Sequence, residues 1–278
     1  MTGRRADGYH LLDSLVAFAD IGDTVTAAPA DTLSLVINGP EAGSLAGLGD
    51  ANLVLRTARA LAAHDGVAPR ARLTLDKQLP IASGIGGGSS DAAATLRALG
   101  ALWHRPLADI GAVAVTLGAD VPVCLAGTPA WVAGIGEQLQ PVAALPPLGV
   151  VLANPRRELP TASVFRARSG VLSPQSARPR IAEPDALLAL LRHCRNDLTE
   201  AALTLVPEIG TVLDRLAQLS GARLARMSGS GATCFALFAE REAAARAAAE
   251  LAQREPGWWV RAGALLSTRP EIKSVAVR

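Results

Sequence analysis

One stretch of the chain combines flexible glycines and hydroxyl groups directly before an alanine-rich segment: PIASGIGGGSSDAAATLRAL, from Pro80 to Leu99. Its glycines are Gly84, Gly86, Gly87 and Gly88. Because glycine loses more conformational entropy on folding than any other residue, a packed core gains nothing from them. A glycine-rich loop that opens a helix suits phosphate instead, since its N–H groups and the helix N-terminus attract an anion. Ser89 and Ser90 can bind phosphate oxygens or hold a magnesium ion.

The loop matches neither of two common nucleotide-binding patterns. No Gly-Lys-Ser/Thr ends it, as a Walker A loop would require. A dinucleotide fingerprint that starts at Gly84 would need glycine where Ser89 stands. The alternative is a flexible strand–helix connector, and glycines followed by Ser-Ser-Asp-Ala-Ala make that the weaker interpretation.

Asp120, in the apolar run VTLGADVPVCLAG, is a second candidate for chemistry. Local sequence favours a helix N-cap, because aspartate caps well and Pro122 suits the first turn of a helix. The other interpretation is a catalytic carboxylate. Phosphoryl transfer needs a group that orients the attacking hydroxyl and accepts its proton.

Composition limits the classes of protein and partner. Half of the 278 residues are apolar, the net charge is +2, and acids and bases are interspersed, which argues against a nucleic-acid surface. The three cysteines lie far apart without a CxxC pair, which argues against a zinc site and fits reduced thiols. No signal peptide or membrane helix is evident. We expect a cytoplasmic protein, a monomer or weak homodimer, with a small-molecule substrate and no nucleic-acid or membrane partner.

Hydrophobic spacing predicts mixed strands and helices without a regular βαβ rhythm, hence an α+β fold. The predicted helices include one capped by Asn52 and one that begins at Ser90 or Asp91. A proline-rich stretch predicts a domain boundary, which gives domains at 1–147 and 148–278.

Several segments resemble the GHMP kinases, small-molecule kinases named for galactose, homoserine, mevalonate and phosphomevalonate. PIASGIGGGSSDAA resembles their central ATP-binding motif, and ARMSGSGATCFALF resembles their C-terminal glycine motif. TGRRADGYHLLDSLVAFADIGD and LGADVPVCLAG resemble the branch that acts on a cytidine-diphosphate-linked methylerythritol. The matches keep the family's order and span almost the whole chain.

The resemblance implies a fold and a reaction. The fold is a ribosomal protein S5 domain 2-like N-terminal domain followed by a GHMP kinase C-terminal domain, with nucleotide and substrate in the cleft. The reaction moves the γ-phosphoryl group of ATP, with Mg²⁺, to the 2-hydroxyl of that cytidine compound, a step of non-mevalonate isoprenoid synthesis. The alternatives are a homoserine- or mevalonate-type kinase, and an inert nucleotide-binding protein.

The resemblance also implies roles for individual residues. Asp120 would be the catalytic carboxylate, and Ser90 would be a magnesium ligand. The implied ATP-binding residues are Lys77, Pro80, Ser83, Gly84, Gly86, Gly87, Gly88, Ser89 and Ser90. The implied substrate-binding residues are Tyr9, His10, Phe165, Gly229 and Ser230. Local sequence also fits other roles for some of them. Lys77 could be a solvated charge, Tyr9 and Phe165 could be core aromatics, and Gly229 and Ser230 could form a tight turn.

One part of the family pattern has no counterpart in this sequence. The family carries a strand with the motif AKxNL about ten residues before the segment that matches Gly3–His10, and the lysine of that motif is treated as a partner of the catalytic aspartate. No residue of this sequence is assigned that role. Either the natural start lies upstream, which we expect, or the strand is absent and the kinase is weakened.

Overall fold

The structure, a computed structural model, describes residues 1–142, 144–181 and 183–273. The strands are β1 (Gly3–Arg4), β2 (His10–Val16), β3 (Thr24–Ala28), β4 (Ser34–Asn38), β5 (Arg72–Asp76), β6 (Ala130–Gly134), β7 (Gln138–Pro141), β8 (Gly149–Asn154), β9 (Leu224–Met227), β10 (Cys234–Phe238) and β11 (Trp259–Ala264). The α-helices are α1 (Leu53–His64), α2 (Gly87–Leu102), α3 (Leu107–Leu117), α4 (Val121–Ala126), α5 (Thr161–Ala167), α6 (Pro184–His193), α7 (Thr199–Leu205), α8 (Glu208–Ala217) and α9 (Arg241–Arg254).

The chain folds into two compact units that interleave along the sequence. The first unit contains Met1–Ile21, Pro80–Gly86 and Thr128–Ser267. The second contains Gly22–Leu79, Gly87–Gly127 and the segment from Thr268. The units interleave because β2 pairs with β6, which brings the start of the chain to residues far along it. The single boundary after residue 147 divides the sequence differently and stays a prediction.

The first unit holds two four-stranded antiparallel sheets, with strand orders β1-β2-β6-β7 and β11-β8-β10-β9. Helices α8 and α9 pack against the second sheet. Small side chains make that packing close, since α9 buries Ala244, Ala247 and Ala248 at helical spacing. Gly229 and Ser230 lie in the turn between β9 and β10.

The second unit holds a three-stranded sheet of order β3-β5-β4. Strand β4 runs parallel to β5 and α1 lies between them in sequence, as a parallel crossover requires. The predicted cap of α1 is confirmed, because the Asn52 side chain accepts the Val54 N–H at 2.9 Å. In the centre of the sheet, β5 buries Leu73 and Leu75 on alternate positions.

The structure corrects the predicted start of one helix. Helix α2 begins at Gly87 instead of Ser90 or Asp91, because glycines are accommodated in its first turn. Ser89 and Ser90 therefore lie inside the helix. Cys124 and Cys234 are buried, whereas Cys194 is half-buried. Within the described residues, no helix combines the length and apolar character needed to cross a membrane.

Candidate active site

Two glycine-rich turns lie against each other in the first unit. A Cβ atom on Gly84 would approach the Gly231 carbonyl oxygen to 2.4 Å, and a Cβ on Gly229 would approach the Gly84 oxygen to 2.7 Å. The φ angles of Gly84 and Gly229 are +72° and +49°. Both the contact and the backbone conformation therefore require glycine. The Ser228 hydroxyl adds a hydrogen bond to the Gly84 oxygen at 3.0 Å.

Hydrogen bonds fix the beginning of the first turn. The Ser83 hydroxyl donates to the Pro80 carbonyl oxygen at 2.7 Å, and the Thr233 N–H donates to the Ser83 oxygen at 3.1 Å. The Thr233 hydroxyl in turn accepts from the Asn154 amide at 2.9 Å. Ser83 and Asn154 are both buried. The structure thus uses the Ser83 hydroxyl to shape the loop.

An aromatic pair marks another part of the first unit. The rings of His10, at the start of β2, and Phe165, on α5, have centroids 5.5 Å apart and are tilted by 49°. Burial, assisted by Arg4 and Arg168, lowers the pKa of His10, which favours a neutral imidazole that can both donate and accept a hydrogen bond. Tyr9 precedes this pair and is 61% exposed.

Helix α5 connects the aromatic pair to the second glycine turn. Thr161, at the start of α5, places its hydroxyl 3.0 Å from the Ser230 hydroxyl. Phe165 lies one helical turn later on the same helix. The first unit therefore brings Phe165, His10 and Ser230 into one connected group.

Asn196, just before α7, holds the same glycine turn. Its amide nitrogen donates to the Met227 oxygen at 3.0 Å and to the Gly229 oxygen at 2.7 Å. Its amide oxygen accepts the Leu198 N–H at 3.0 Å, next to α7. Asn-Asp before a helix signals the capping bond, but nothing in local sequence signals the contact to Gly229.

In the second unit, Asp120 occupies the N-cap position of α4 without capping the helix. Its backbone is helical, with φ −88° and ψ −10°, and its side chain accepts no capping hydrogen bond. A capping residue normally has extended backbone angles that aim its side chain at the helix N–H groups. Partial desolvation raises the pKa of the Asp120 carboxyl, although the residue keeps an exposed surface. The carboxylate is therefore available to accept a proton.

Ser90 and Asp120 both contact Cys124. The Ser90 hydroxyl lies 3.5 Å from the Cys124 sulfur, and the Cys124 N–H donates to the Asp120 carbonyl oxygen at 3.1 Å. Burial raises the pKa of the Cys124 thiol to about 11, which keeps it neutral. The buried Cys124 side chain thus joins α4 to Ser90 of α2, one helical turn after Asp120. The contact with Ser90 is tertiary, whereas the bond to Asp120 is the main-chain hydrogen bond of the first turn of α4.

The residues around Cys124 fit a magnesium ion that arrives with phosphates. Among the described residues, no group of three or more His, Cys, Asp or Glu side chains could hold a metal ion. Mg²⁺ commonly keeps several waters and binds one or two protein oxygens together with substrate phosphates. The Ser90 hydroxyl supplies an oxygen ligand of the required hard type.

Lys77 is buried between two carboxylates. Its side chain is 2% exposed, and its Nζ lies 2.6 Å from Asp23 Oδ2 and 2.8 Å from Asp91 Oδ2. Burial opposes the charge of Lys77, but the two carboxylates raise its pKa. Burial also raises the pKa of Asp91 to about 7 against the pull of Lys77. Neither aspartate is among the predicted site residues, and nothing in the sequence near Asp23 indicates that it meets a lysine.

The raised pKa of Asp91 makes stability depend on pH. Because the folded chain keeps this proton up to about pH 7, whereas an unfolded Asp loses it near 3.8, the contribution is complete below pH 3.8 and lost as the pH rises through about 7. Asp91→Asn removes this ionisation. We expect its free energy of unfolding, measured with urea, to fall between pH 4 and 8 by about 4 kcal/mol less than that of the parent, because a difference of about 3 pKa units is removed. A fall equal to the parent's would contradict the assignment.

Known proteins resemble this chain over nearly its whole length. Residues 52–128 match the GHMP kinases N terminal domain, and residues 180–256 match the GHMP kinases C terminal family. A 4-diphosphocytidyl-2-C-methyl-D-erythritol kinase from Cereibacter sphaeroides is 52% identical over 263 residues, which cover 94% of this chain and 92% of the relative. The chain belongs to the 4-diphosphocytidyl-2-C-methyl-D-erythritol kinase family. The predicted GHMP kinase resemblance is confirmed, and ATP is the nucleotide of this family.

Solved structures confirm the predicted fold. A crystal structure of 4-(cytidine 5'-diphospho)-2C-methyl-D-erythritol kinase matches with a TM-score of 0.77 and 36% identity, over 95% of this chain and 93% of that one. Homoserine kinase from Cytophaga hutchinsonii matches with a TM-score of 0.66 and 18% identity, over 93% and 90% of the two chains. The second similarity shows a common fold alone.

Proposed function

We propose that the chain transfers the γ-phosphoryl group of ATP to the 2-hydroxyl of 4-diphosphocytidyl-2-C-methyl-D-erythritol, in non-mevalonate isoprenoid synthesis. The observation that carries this proposal is the identity, over nearly the whole chain, to a kinase named for that compound. The pair of His10 and Phe165 supports it, because a ring pair suits a nucleobase. Homoserine and mevalonate contain no such base.

In this reaction Asp120 acts as the general base. It orients the 2-hydroxyl and accepts its proton while the hydroxyl oxygen forms a bond to the γ-phosphorus. The bond between that phosphorus and the β–γ bridging oxygen breaks, and ADP leaves with the bridging oxygen. The raised pKa of Asp120 strengthens it as a proton acceptor, and the absence of a capping bond leaves its carboxylate free for this role.

The glycine-rich segment and the start of α2 bind the phosphates of ATP. Pro80, Ser83 and Gly84 shape the loop through the contacts described above. The segment from Gly86 to Ser90 offers N–H groups and hydroxyls at a helix N-terminus, which attract phosphate. Magnesium, held by the ATP phosphates with Ser90, offsets negative charge when bound.

Tyr9, His10, Phe165, Gly229 and Ser230 bind the cytidine substrate in this proposal. Removing the exposed Tyr9 ring by Tyr9→Ala is expected to raise the KM for the cytidine substrate about 5- to 100-fold, because base stacking contributes about 1–3 kcal/mol. The KM for ATP and the unfolding temperature stay at parent values. Val171→Ala, which trims another exposed side chain, is the matched control. An unchanged KM for the cytidine substrate would remove Tyr9 from the site.

A panel of acceptors tests the proposed substrate directly. ADP release is measured with the cytidine compound, homoserine and mevalonate at equal concentrations. The proposal predicts turnover with the cytidine compound alone. Turnover with another acceptor favours a different GHMP kinase activity. ATP binding without turnover of any acceptor favours the inert nucleotide-binding protein.

We also propose that the chain works in the cytoplasm as a monomer or weak homodimer that binds small molecules only. All three cysteines, Cys124, Cys194 and Cys234, are free thiols, as proteins of a reducing compartment commonly have. Light scattering across a range of protein concentrations checks the oligomeric state.

A further inference from the structure

Asp23 binds the part of the chain just before the glycine-rich segment, which is residues 80–90. Its Oδ1 accepts the N–H groups of Gln78 and Leu79 at 2.6 and 2.9 Å, and its Oδ2 accepts from Lys77 Nζ at 2.6 Å. The Asp23 side chain is 2% exposed. One carboxylate thus fixes three successive residues where β5 leads into the segment. Three donors hold this buried carboxylate in one position.

Asp91 is bound to the chain just after the same segment. It lies four residues into α2 and accepts from Lys77 Nζ at 2.8 Å. The three buried side chains therefore join the end of β5 to the start of α2. Asp23, Lys77 and Asp91 are called the clamp below.

The position of Lys77 leaves its ammonium group directed into the clamp. Its main-chain N–H donates to the Asn38 oxygen at 2.8 Å, and its carbonyl oxygen accepts the Glu41 N–H at 3.1 Å. A Cβ atom on Gly87, the first residue of α2, would lie 3.6 Å from Lys77 Nζ. The lysine is therefore fixed at both its backbone and its side chain, under the first turn of the helix.

We infer that the clamp is a positioning device for ATP binding, in which Lys77 acts through Asp23 and Asp91 and makes no contact with the nucleotide. By holding Leu79 and α2, the clamp sets the distance and direction between the two ends of the glycine-rich segment. Phosphate binding by backbone N–H groups depends on that geometry, because the N–H groups at the helix N-terminus must point at the phosphate. The inference rests on the proposed kinase function only for the identity of the nucleotide.

The test measures nucleotide affinity without turnover. The dissociation constant of β,γ-imido-ATP with Mg²⁺ is determined by calorimetry for Lys77→Met, Asp91→Ala and the double variant. We expect each single variant to bind about tenfold more weakly, and the double variant to bind no more weakly than the weaker single, because both act through one device. Parent affinity in Asp91→Ala together with weak binding in Lys77→Met would show that Lys77 touches the nucleotide, and would overturn the inference.

A second measurement needs no nucleotide. Hydrogen exchange of the amides between residues 80 and 90 is followed by mass spectrometry. Faster exchange is expected in Lys77→Met and Asp91→Ala, whereas parent-like exchange in both would contradict the clamp. Asp91→Asn keeps an acceptor oxygen beside Lys77 and is therefore the milder variant. It is used if Asp91→Ala fails to fold, and it is expected to retain slow exchange. Loss of protection in Asp91→Asn equal to that in Lys77→Met would count against the clamp.

Asp50→Asn is the matched control for both measurements. Asp50 is an aspartate of the same unit that pairs with Arg59 at 2.6 Å, but its side chain is 84% exposed. It should keep parent affinity and exchange. A chain that binds β,γ-imido-ATP but phosphorylates no acceptor would refute the proposed function and leave the clamp intact, so the two failures are distinguishable.

Discussion

Asp120→Asn is expected to lower kcat for phosphoryl transfer by about 10²- to 10⁴-fold, the usual contribution of a general base. The amide keeps the size of the side chain but accepts no proton from the attacking hydroxyl. The KM values for ATP and the cytidine substrate should stay within about threefold of the parent, because binding of the ground state does not need the proton acceptor. Stability should be unchanged, since Asp120 makes no capping bond. Steady-state kinetics and thermal unfolding check these results.

Two further observations distinguish catalysis by Asp120 from a structural role. Asp185→Asn, an exposed aspartate in the first turn of α6, is the control and should keep parent kcat. In the parent, kcat should fall as the pH drops through the pKa of Asp120, which is raised above the ordinary aspartate value. A loss of stability in Asp120→Asn, with kcat preserved in the folded fraction, would assign Asp120 to the fold.

Gly84→Ala is expected to lower the free energy of unfolding by about 3 kcal/mol or more, from left-handed backbone strain and overpacking together. The added methyl group would lie 2.4 Å from the Gly231 carbonyl oxygen at a φ of +72°. Because the near atom belongs to the backbone, a side-chain rotation cannot relieve the contact. The two glycine turns would have to separate, and ATP binding would be lost with them.

Gly86→Ala is the matched control in the same segment. Its φ is +70°, but a Cβ atom at this position would meet nothing within 4 Å. We therefore expect only the left-handed strain, about 1–2 kcal/mol, in urea unfolding. The loss of binding free energy for the nucleotide should exceed the loss of unfolding free energy, because the methyl group obstructs phosphate approach. Equal losses of stability in Gly84→Ala and Gly86→Ala would show that the contact with Gly231 does not matter.

Local pattern predicted most elements and the phosphate loop. The glycine run alone indicates a phosphate loop, because a packed core gains nothing from these glycines. The cap at Asn52 was predictable because capping is a local interaction. The predicted start of α2 is wrong because serine and aspartate normally signal a helix start. Here glycines occupy the first turn.

The remaining parts of the site depend on contacts between distant residues. Asp23 and Lys77 are 54 residues apart in sequence, and nothing near Asp23 indicates that it meets a lysine. Asn196 contacts Gly229 across 33 residues. Local sequence left Asp120 as either a cap or a base, because both roles use an aspartate before a helix. The backbone angles of Asp120 and its missing capping bond distinguish the two, and they became visible only in the folded chain.

The most direct test of the proposed reaction follows the transferred phosphate itself. The chain is incubated with ATP, Mg²⁺ and 4-diphosphocytidyl-2-C-methyl-D-erythritol, and the products are examined by ³¹P NMR and mass spectrometry. The proposal predicts a new phosphomonoester on the 2-hydroxyl, formed in equal amount to ADP and lost in Asp120→Asn. ADP without the phosphomonoester, or equal product from Asp120→Asn, would contradict transfer to this substrate by Asp120.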